Sequence, residues 1–274
     1  MRRVPVPAKI NLALLVGGRR ADGLHEVVSV LQRIDLCDRL AVEEAAELRV
    51  EGFAEDTLVR NALAKLQEAA GVEHAWRARL DKCIPVAAGL GGGSADAAAA
   101  LLLANATLDQ PLGPEDFTAL ASELGADVPF FLSPGPKLAE GAGERLTALE
   151  LPQDYWVVIV LPRNERKDAT GTIYERFDEH GGAPGLDGRK AELMGALASV
   201  RRPRDFGQFP VNDLAQAAGT AWLAEDLRAA GAFRADVSGA GPAVYGLFHH
   251  RAEAARAARL SRRLGRTWVV APVW

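Results

Sequence analysis

Between Pro85 and Leu108 the sequence PVAAGLGGGSADAAAALLLANATL sets Gly89, Gly91, Gly92 and Gly93 directly before a long apolar run. Glycine gives a backbone freedom that only an ordered neighbourhood can turn into a defined shape. Here the neighbourhood is ADAAAALLLA, whose helix propensity is high and whose residues are apolar nearly all round, the mark of a buried helix. A flexible linker does not abut a rigid buried element. The stretch therefore predicts a fixed glycine loop that ends at a helix N-terminus, with Ser94 as the N-cap. Successive glycine N–H groups and the positive end of a helix together suit an anion. Asp96 follows in what is then the first turn, where a carboxylate competes for the same field. On this reading a side chain at Gly92 should block a phosphate and leave the stability of the free protein nearly unchanged.

Two familiar phosphate loops are excluded by spacing. No lysine follows the glycines as a Walker A loop requires. In G-x-G-x-x-G the third glycine would fall on Ser94 or Asp96.

The rest of the chain fits one large or two intimate domains of mixed helices and strands. Its 274 residues suffice for a substantial core. Strands are predicted at AKINLALLVG, VVSVLQRI, DRLAVEEA, AELRVEGF and AWRARLDKCIP, and helices at TLVRNALAKLQEAAG and PEDFTALASELG. A boundary is placed near Leu149–Gln153, giving parts 1–150 and 151–274. Beyond it come the strand DYWVVIVLP, the glycine-rich HGGAPGLDGR read as a loop, and helices near Ala191 and Ala221. The strands FRADVSG and AVYGLFH, the helix AEAARAARLSRRLG and the strand TWVVAPV close the chain. This is an α+β pattern without an internal repeat.

Composition excludes some classes. A net charge of −4 with no basic stripe argues against a nucleic-acid or acidic-membrane surface. Cys37 and Cys83 stand alone, outside any zinc or disulfide pattern, which suits a reducing cytoplasm. The apolar run Ala97–Ala104 is too short to span a bilayer.

Three ionisable residues stand out. Lys9 alternates with Asn11 on one face of the first strand, opposite Ala8, Ile10, Leu12 and Leu14, and by itself it is equally an edge-strand charge. Asp127, between a helix end and VPFFL, is by itself ordinary turn chemistry. A lone His25 is by itself incidental.

PVAAGLGGGSADAA resembles the signature loop of the GHMP kinases, small-molecule kinases that hold ATP without a Walker motif. PAKINLAL, RADGLHEV, LGADVPFF and VSGAGPAVYGLF narrow the resemblance to one branch, the 4-diphosphocytidyl-2-C-methyl-D-erythritol kinases, and the match runs over essentially the whole chain in the right order. The resemblance implies a two-domain fold, ribosomal-S5-like then ferredoxin-like. It implies transfer of the ATP γ-phosphate to the 2-hydroxyl of a cytidine-diphosphate-linked methylerythritol, in the non-mevalonate route to isoprenoid precursors. Lys9 and Asp127 would then be the catalytic pair, the ammonium holding the carboxylate ionised. Pro85, Val86, Ala87, Ala88, Gly89, Leu90, Gly91, Gly92, Gly93, Ser94 and Ala95 would hold the nucleotide, with Lys82 nearby. Asn11, His25, Thr170 and Tyr174 would meet the substrate, His25 at the cytosine. Mg2+ is implied without nameable ligands, and a cytoplasmic monomer or weak homodimer is expected.

Three positions depart from the family pattern: Ala87 replaces the usual glycine, Ala95 an often-present serine, and Leu24 the common aromatic before His25. A backbone cradle should tolerate the first two, while Leu24 offers the base only aliphatic contact. Another GHMP kinase for a sugar or mevalonate-type alcohol is the alternative, disfavoured by RADGLHEV. An RNA-binding module, by fold analogy alone, is disfavoured by the charge. A catalytically dead sensor is disfavoured by the presence of both Lys9 and Asp127.

Overall fold

The computed structural model describes residues 3–53, 57–163 and 169–274. In chain order the strands and helices are β1 (Val4–Arg19), β2 (His25–Ala45), β3 (Arg49–Glu51), α1 (Thr57–Ala70), β4 (Ala75–Asp81), α2 (Gly92–Asn105) and α3 (Pro114–Leu124). They continue as β5 (Lys137–Gly141), β6 (Arg145–Ala148), β7 (Trp156–Pro162), α4 (Thr170–Glu179), α5 (Leu186–Ser199), α6 (Trp222–Ala229) and β8 (Arg234–Val237). β9 (Val244–Phe248), α7 (Arg251–Ser261), β10 (Gly265–Val270) and β11 (Pro272–Val273) complete the chain.

Two strands expected at 27–34 and 38–45 are one continuous β2. The reason is period-two burial across the supposed break. Gln32, Ile34, Leu36, Asp38 and Leu40 are buried, and the residues between them are not. Asp38 therefore occupies an inward position of an apolar strand. The segment HGGAPGLDGR also turns helical sooner than expected, since α5 begins at Leu186.

The chain forms two compact units, each of non-contiguous segments. The first comprises residues 1–8, 36–86 and 91–134. In it β4 runs antiparallel to β2, from Arg39 opposite Asp81 to Ala45 opposite Ala75, and β3 lies parallel to β4. α1 and α3 pack with α2. α2 buries Ala95, Ala97, Ala98, Ala100, Leu101 and Ala104, yet leaves Leu102 exposed, so one side of this apolar helix reaches solvent.

The second unit comprises residues 9–35, 87–90 and 135–274. β5 pairs antiparallel with β2 from Val27 opposite Gly141 to Leu31 opposite Lys137, and β6 pairs with β5. A four-stranded antiparallel sheet has the order β10-β7-β9-β8. Numbered along the chain its strands stand 4-1-3-2, and α7 links β9 to β10, the split βαβ arrangement of ferredoxin-like folds. Val158, Val160, Leu223, Leu227, Val237, Val244, Phe248 and Ala257 form its core. A second cluster packs Leu14, Val16, Val27, Ile173, Phe177 and Leu214, and this fixes α4 against the end of β1 and the start of β2.

Candidate active site

In the second unit, Lys9 and Asn11 lie in β1 and both are almost wholly buried. Lys9 Nζ donates to Asn11 Oδ1 at 2.8 Å, Asn11 Nδ2 donates to Ser29 Oγ at 2.8 Å, and Ser29 Oγ donates to the Ala13 carbonyl at 2.8 Å. This relay fixes which way the Asn11 amide points, because its oxygen faces the ammonium and its nitrogen faces the hydroxyl. A lysine so deeply buried and so oriented is not an edge-strand charge.

The backbone N–H of Lys9 donates to the Leu90 carbonyl at 2.9 Å, which ties β1 to the glycine loop. The loop is tied in turn to VSGAGPAV. Ala243 N–H donates to the Ala88 carbonyl at 3.1 Å, and Ser238 Oγ to the Gly89 carbonyl at 2.9 Å. A Cβ placed on Gly239 would lie 3.4 Å from Asn11 Oδ1 and 3.5 Å from Lys9 Nζ, so this second loop passes close over the Lys9–Asn11 pair. Asn212 holds it there, donating from Nδ2 to the carbonyls of Val237 (2.9 Å) and Gly239 (2.7 Å).

Within the loop, Ala87 has φ +47°, in the left-handed region where glycine is at ease and alanine is strained. It is the one non-glycine residue with positive φ among the described residues. A glycine at this position would carry no such strain.

In the first unit, α2 begins earlier than expected. Gly91, at φ 68° and ψ 16°, is the N-cap, and Ser94 is the third helical residue. No side chain caps this start. The N–H groups of Gly92, Gly93 and Ser94 have no intrahelical acceptor, the donor set a phosphate needs. Asp96 lies beyond the first turn and its carboxylate is engaged, with Lys82 Nζ donating to Asp96 Oδ2 at 2.6 Å. Lys82 also pairs with Asp38, whose Oδ1 accepts from the N–H groups of Cys83 (2.5 Å) and Ile84 (2.8 Å). Both carboxylates raise the Lys82 pKa against the opposing effect of burial. Lys82 thus clamps the strand–loop junction and draws Asp96 away from the helix start.

The expectation for Gly92 is overturned. An added Cβ would lie 2.9 Å from Ile84 Cγ2, so a side chain there strikes the protein's own packing and must lower stability.

Asp127 is half-buried in the turn between α3 and a short 3-10 turn at Pro129–Leu132, in the first unit. His25 opens β2 and is buried, its ring 4.9 Å from that of Tyr174 at 31°. Thr170 is the exposed first residue of α4, and Leu24 is 54% exposed. Pro85, Val86 and Ala95 lie on the same loop and helix start, Val86 exposed and Ala95 buried. Sequence reasoning missed Ser29, Asp38, Asp178 and Asn212. Only Asp38 had a local signal, as a carboxylate at an inward strand position.

Models of two related domains match the chain: the N-terminal domain of GHMP kinases over residues 57–135 and the C-terminal domain of GHMP kinases over 218–265. A 4-diphosphocytidyl-2-C-methyl-D-erythritol kinase from Symbiobacterium thermophilum is 40% identical over 275 residues, covering 96% of both chains. The chain belongs to the 4-diphosphocytidyl-2-C-methyl-D-erythritol kinase family. A crystal structure of a 4-(cytidine 5'-diphospho)-2C-methyl-D-erythritol kinase matches with TM-score 0.82 and 34% identity, over 100% of both chains. A mevalonate kinase crystal structure matches with TM-score 0.73 at 13% identity, over 100% of this chain and 99% of its own, which shows a common fold. The α+β, two-part GHMP kinase architecture is as expected from the sequence.

Proposed function

We infer that this chain transfers the γ-phosphoryl group of ATP to the 2-hydroxyl of 4-diphosphocytidyl-2-C-methyl-D-erythritol, a step in making isoprenoid precursors. The observation that carries this reading is 40% identity sustained over 96% of both chains with a kinase named for that substrate. The likeness to mevalonate kinase extends only to the fold, so a mevalonate-type or sugar alcohol is the weaker reading.

Phosphoryl transfer to an alcohol needs a placed hydroxyl, an acceptor for its proton and compensation of charge on the phosphoryl oxygens. We assign the proton to Asp127 and the charge compensation to Lys9, with Asn11 orienting the substrate. The α2 start at Gly92–Ser94 is the phosphate seat, reached through Pro85–Gly91, and Lys82 serves it by holding Asp96 aside. Tyr174 and Thr170 on α4 face the cytidylyl end, with His25 at the base. Mg2+, when bound, neutralises phosphate charge. Among the described residues no three His, Cys, Asp or Glu side chains converge as a metal site. The ion would be held by phosphate oxygens and water with one or two carboxylates at most. The matched domains, at 57–135 and 218–265, lie on either side of the proposed boundary near residue 150, between parts 1–150 and 151–274, whereas the compact units interleave, with residues 9–35 and 87–90 grouped with 135–274. We place the enzyme in the cytoplasm as a monomer or weak homodimer without nucleic acid. No helix among the described residues is long and apolar enough to cross a membrane.

The test is coupled ADP release with the cytidylyl substrate, with mevalonate and with no acceptor. Release that depends on the cytidylyl alcohol supports the reading, and equal rates in all three arms overturn it. Asp127→Asn should lower kcat by about 10²-fold or more, the scale of lost general-base catalysis. Near-normal turnover would remove Asp127 as the base.

A further inference from the structure

His25 Nε2 lies 2.9 Å from Asp178 Oδ1, on α4, 153 residues away in sequence. The other oxygen of that carboxylate, Oδ2, accepts from Arg19 Nε at 2.8 Å. Asp178 is thus held from two sides. The His25 ring is also fixed by packing, against Tyr174 and edge-on to Phe177 at 6.4 Å. Neither partner can turn away without losing the other.

An ionised carboxylate only accepts hydrogen bonds. A neutral imidazole bonded to it must carry its proton on Nε2, which leaves the lone pair on Nδ1. Among the described residues no hydrogen bond engages Nδ1. We propose that Asp178 is the positioning residue that sets base choice, by holding the His25 proton on Nε2 and so keeping Nδ1 an acceptor. This rests on the reading that His25 meets the base. Cytosine presents an exocyclic amino donor where uracil presents a carbonyl oxygen. An Nδ1 lone pair accepts from the first and repels the second. Removing Asp178 frees the tautomer, and an imidazole with its proton on Nδ1 would suit uracil instead. Asp178 selects the base without touching it.

Two measurements test this. In the ligand-free enzyme, long-range 1H–15N spectra of labelled histidine, assigned with His25→Ala, distinguish the two tautomers and the imidazolium. The wild type should give the Nε2–H pattern, and Asp178→Asn, whose amide can donate to Nε2, should gain Nδ1–H. An Nδ1–H or imidazolium pattern in the wild type overturns the proposal. The second measurement is the ratio of kcat/KM for the cytidylyl and uridylyl substrates in wild type, Asp178→Asn and Asp178→Ala. The ratio should fall roughly 10-fold or more, the scale of one mis-set polar contact. The loss should lie in KM for the cytidylyl substrate, with kcat little affected. Equal ratios in wild type and both variants sink the role of Asp178. A wild type that does not discriminate between the bases sinks instead the reading of His25.

Discussion

Gly89→Ala tests whether the two glycine-rich loops are locked together before any ligand arrives. Gly89 has φ +80°, and a Cβ there would press on the Ser238 carbonyl oxygen and stand 3.1 Å from both N and O of Gly241. These are backbone atoms, so no side chain can swing aside. The left-handed conformation costs alanine about 1–2 kcal/mol. Overpacking adds about 1–3 kcal/mol. If the loops part to relieve it, the bonds Ser238 Oγ to Gly89 O and Ala243 N to Ala88 O are lost instead, at about 1 kcal/mol each. Relief and clash are alternatives, so the total is about 3 kcal/mol, or roughly 6–12 °C in Tm for a chain of this size. The assay is urea and thermal unfolding by circular dichroism without nucleotide, with the m-value checked against wild type. A loss under about 0.5 kcal/mol at unchanged m would refute the lock and return the glycine to a purely ligand-facing role.

Ala87→Gly should act in the opposite direction. Relief of strain at φ +47°, less the added freedom of the unfolded chain, leaves a gain of up to about 1 kcal/mol in the same unfolding assay, and a loss would contradict it. Lys82→Met should destabilise by about 3–5 kcal/mol, since it strands Asp38 and Asp96, both fully buried. A loss below 1 kcal/mol at pH 7 would show the clamp to be dispensable. Lys137 is buried in β5 beside Arg33, and burial first, then that charge, push its pKa down to about 8. Between pH 8 and the ordinary lysine range the unfolded chain binds a proton the native one lacks, so this site adds stability as pH rises and opposes folding most below pH 8. The stability advantage of Lys137→Met over wild type should therefore shrink by about 2 kcal/mol from pH 7 to pH 10, at 1.36 kcal/mol per unit. A constant gap in urea melts at the two pH values would refute it.

The elements legible in the sequence are those whose burial partner is implied by their own period. α1 buries Val59, Ala62, Leu63 and Leu66 and α3 buries Phe117, Leu120 and Ala121 at helical spacing, β7 is a continuous apolar run, and Gly125 follows α3 as a stop. β5 and β6 were not legible. KLAEG has no alternation and RLTA is only four residues long; β5 is set by pairing with Val27–Leu31, more than 100 residues earlier, and β6 by pairing with β5. The site divides in the same way. Lys9 and Asn11 could be found because they interrupt an apolar strand. Their Ser29 support could not, because it is an ordinary polar residue on β2, 18 positions from Asn11, and only strand pairing brings it near. Lys82 was visible as a charge before the loop, but its two carboxylates stand 44 and 14 residues off, and only the fold brings them to one ammonium.

The crowding of glycines between Gly89 and Gly93 follows from several demands that share a few residues. Gly89 must be bare because the Ser238–Gly241 backbone crosses it, and Gly91 because it caps α2 in a left-handed conformation. Gly92 must be bare because Ile84 sits where its Cβ would be, and a Cβ on Gly93 would lie 3.0 Å from Leu58 Cδ1. Each of these reasons is internal to the protein. None of them is the approach of a phosphate. What they leave behind is a helix start without a capping side chain, its carboxylate neighbour Asp96 turned to Lys82, and the amides of Gly92, Gly93 and Ser94 without intrahelical acceptors. The proposed phosphate seat is thus a product of how tightly the loop is packed from behind. Substitutions in the run should therefore lower stability and nucleotide affinity together, whereas a loop built only for ligand approach would lose affinity alone.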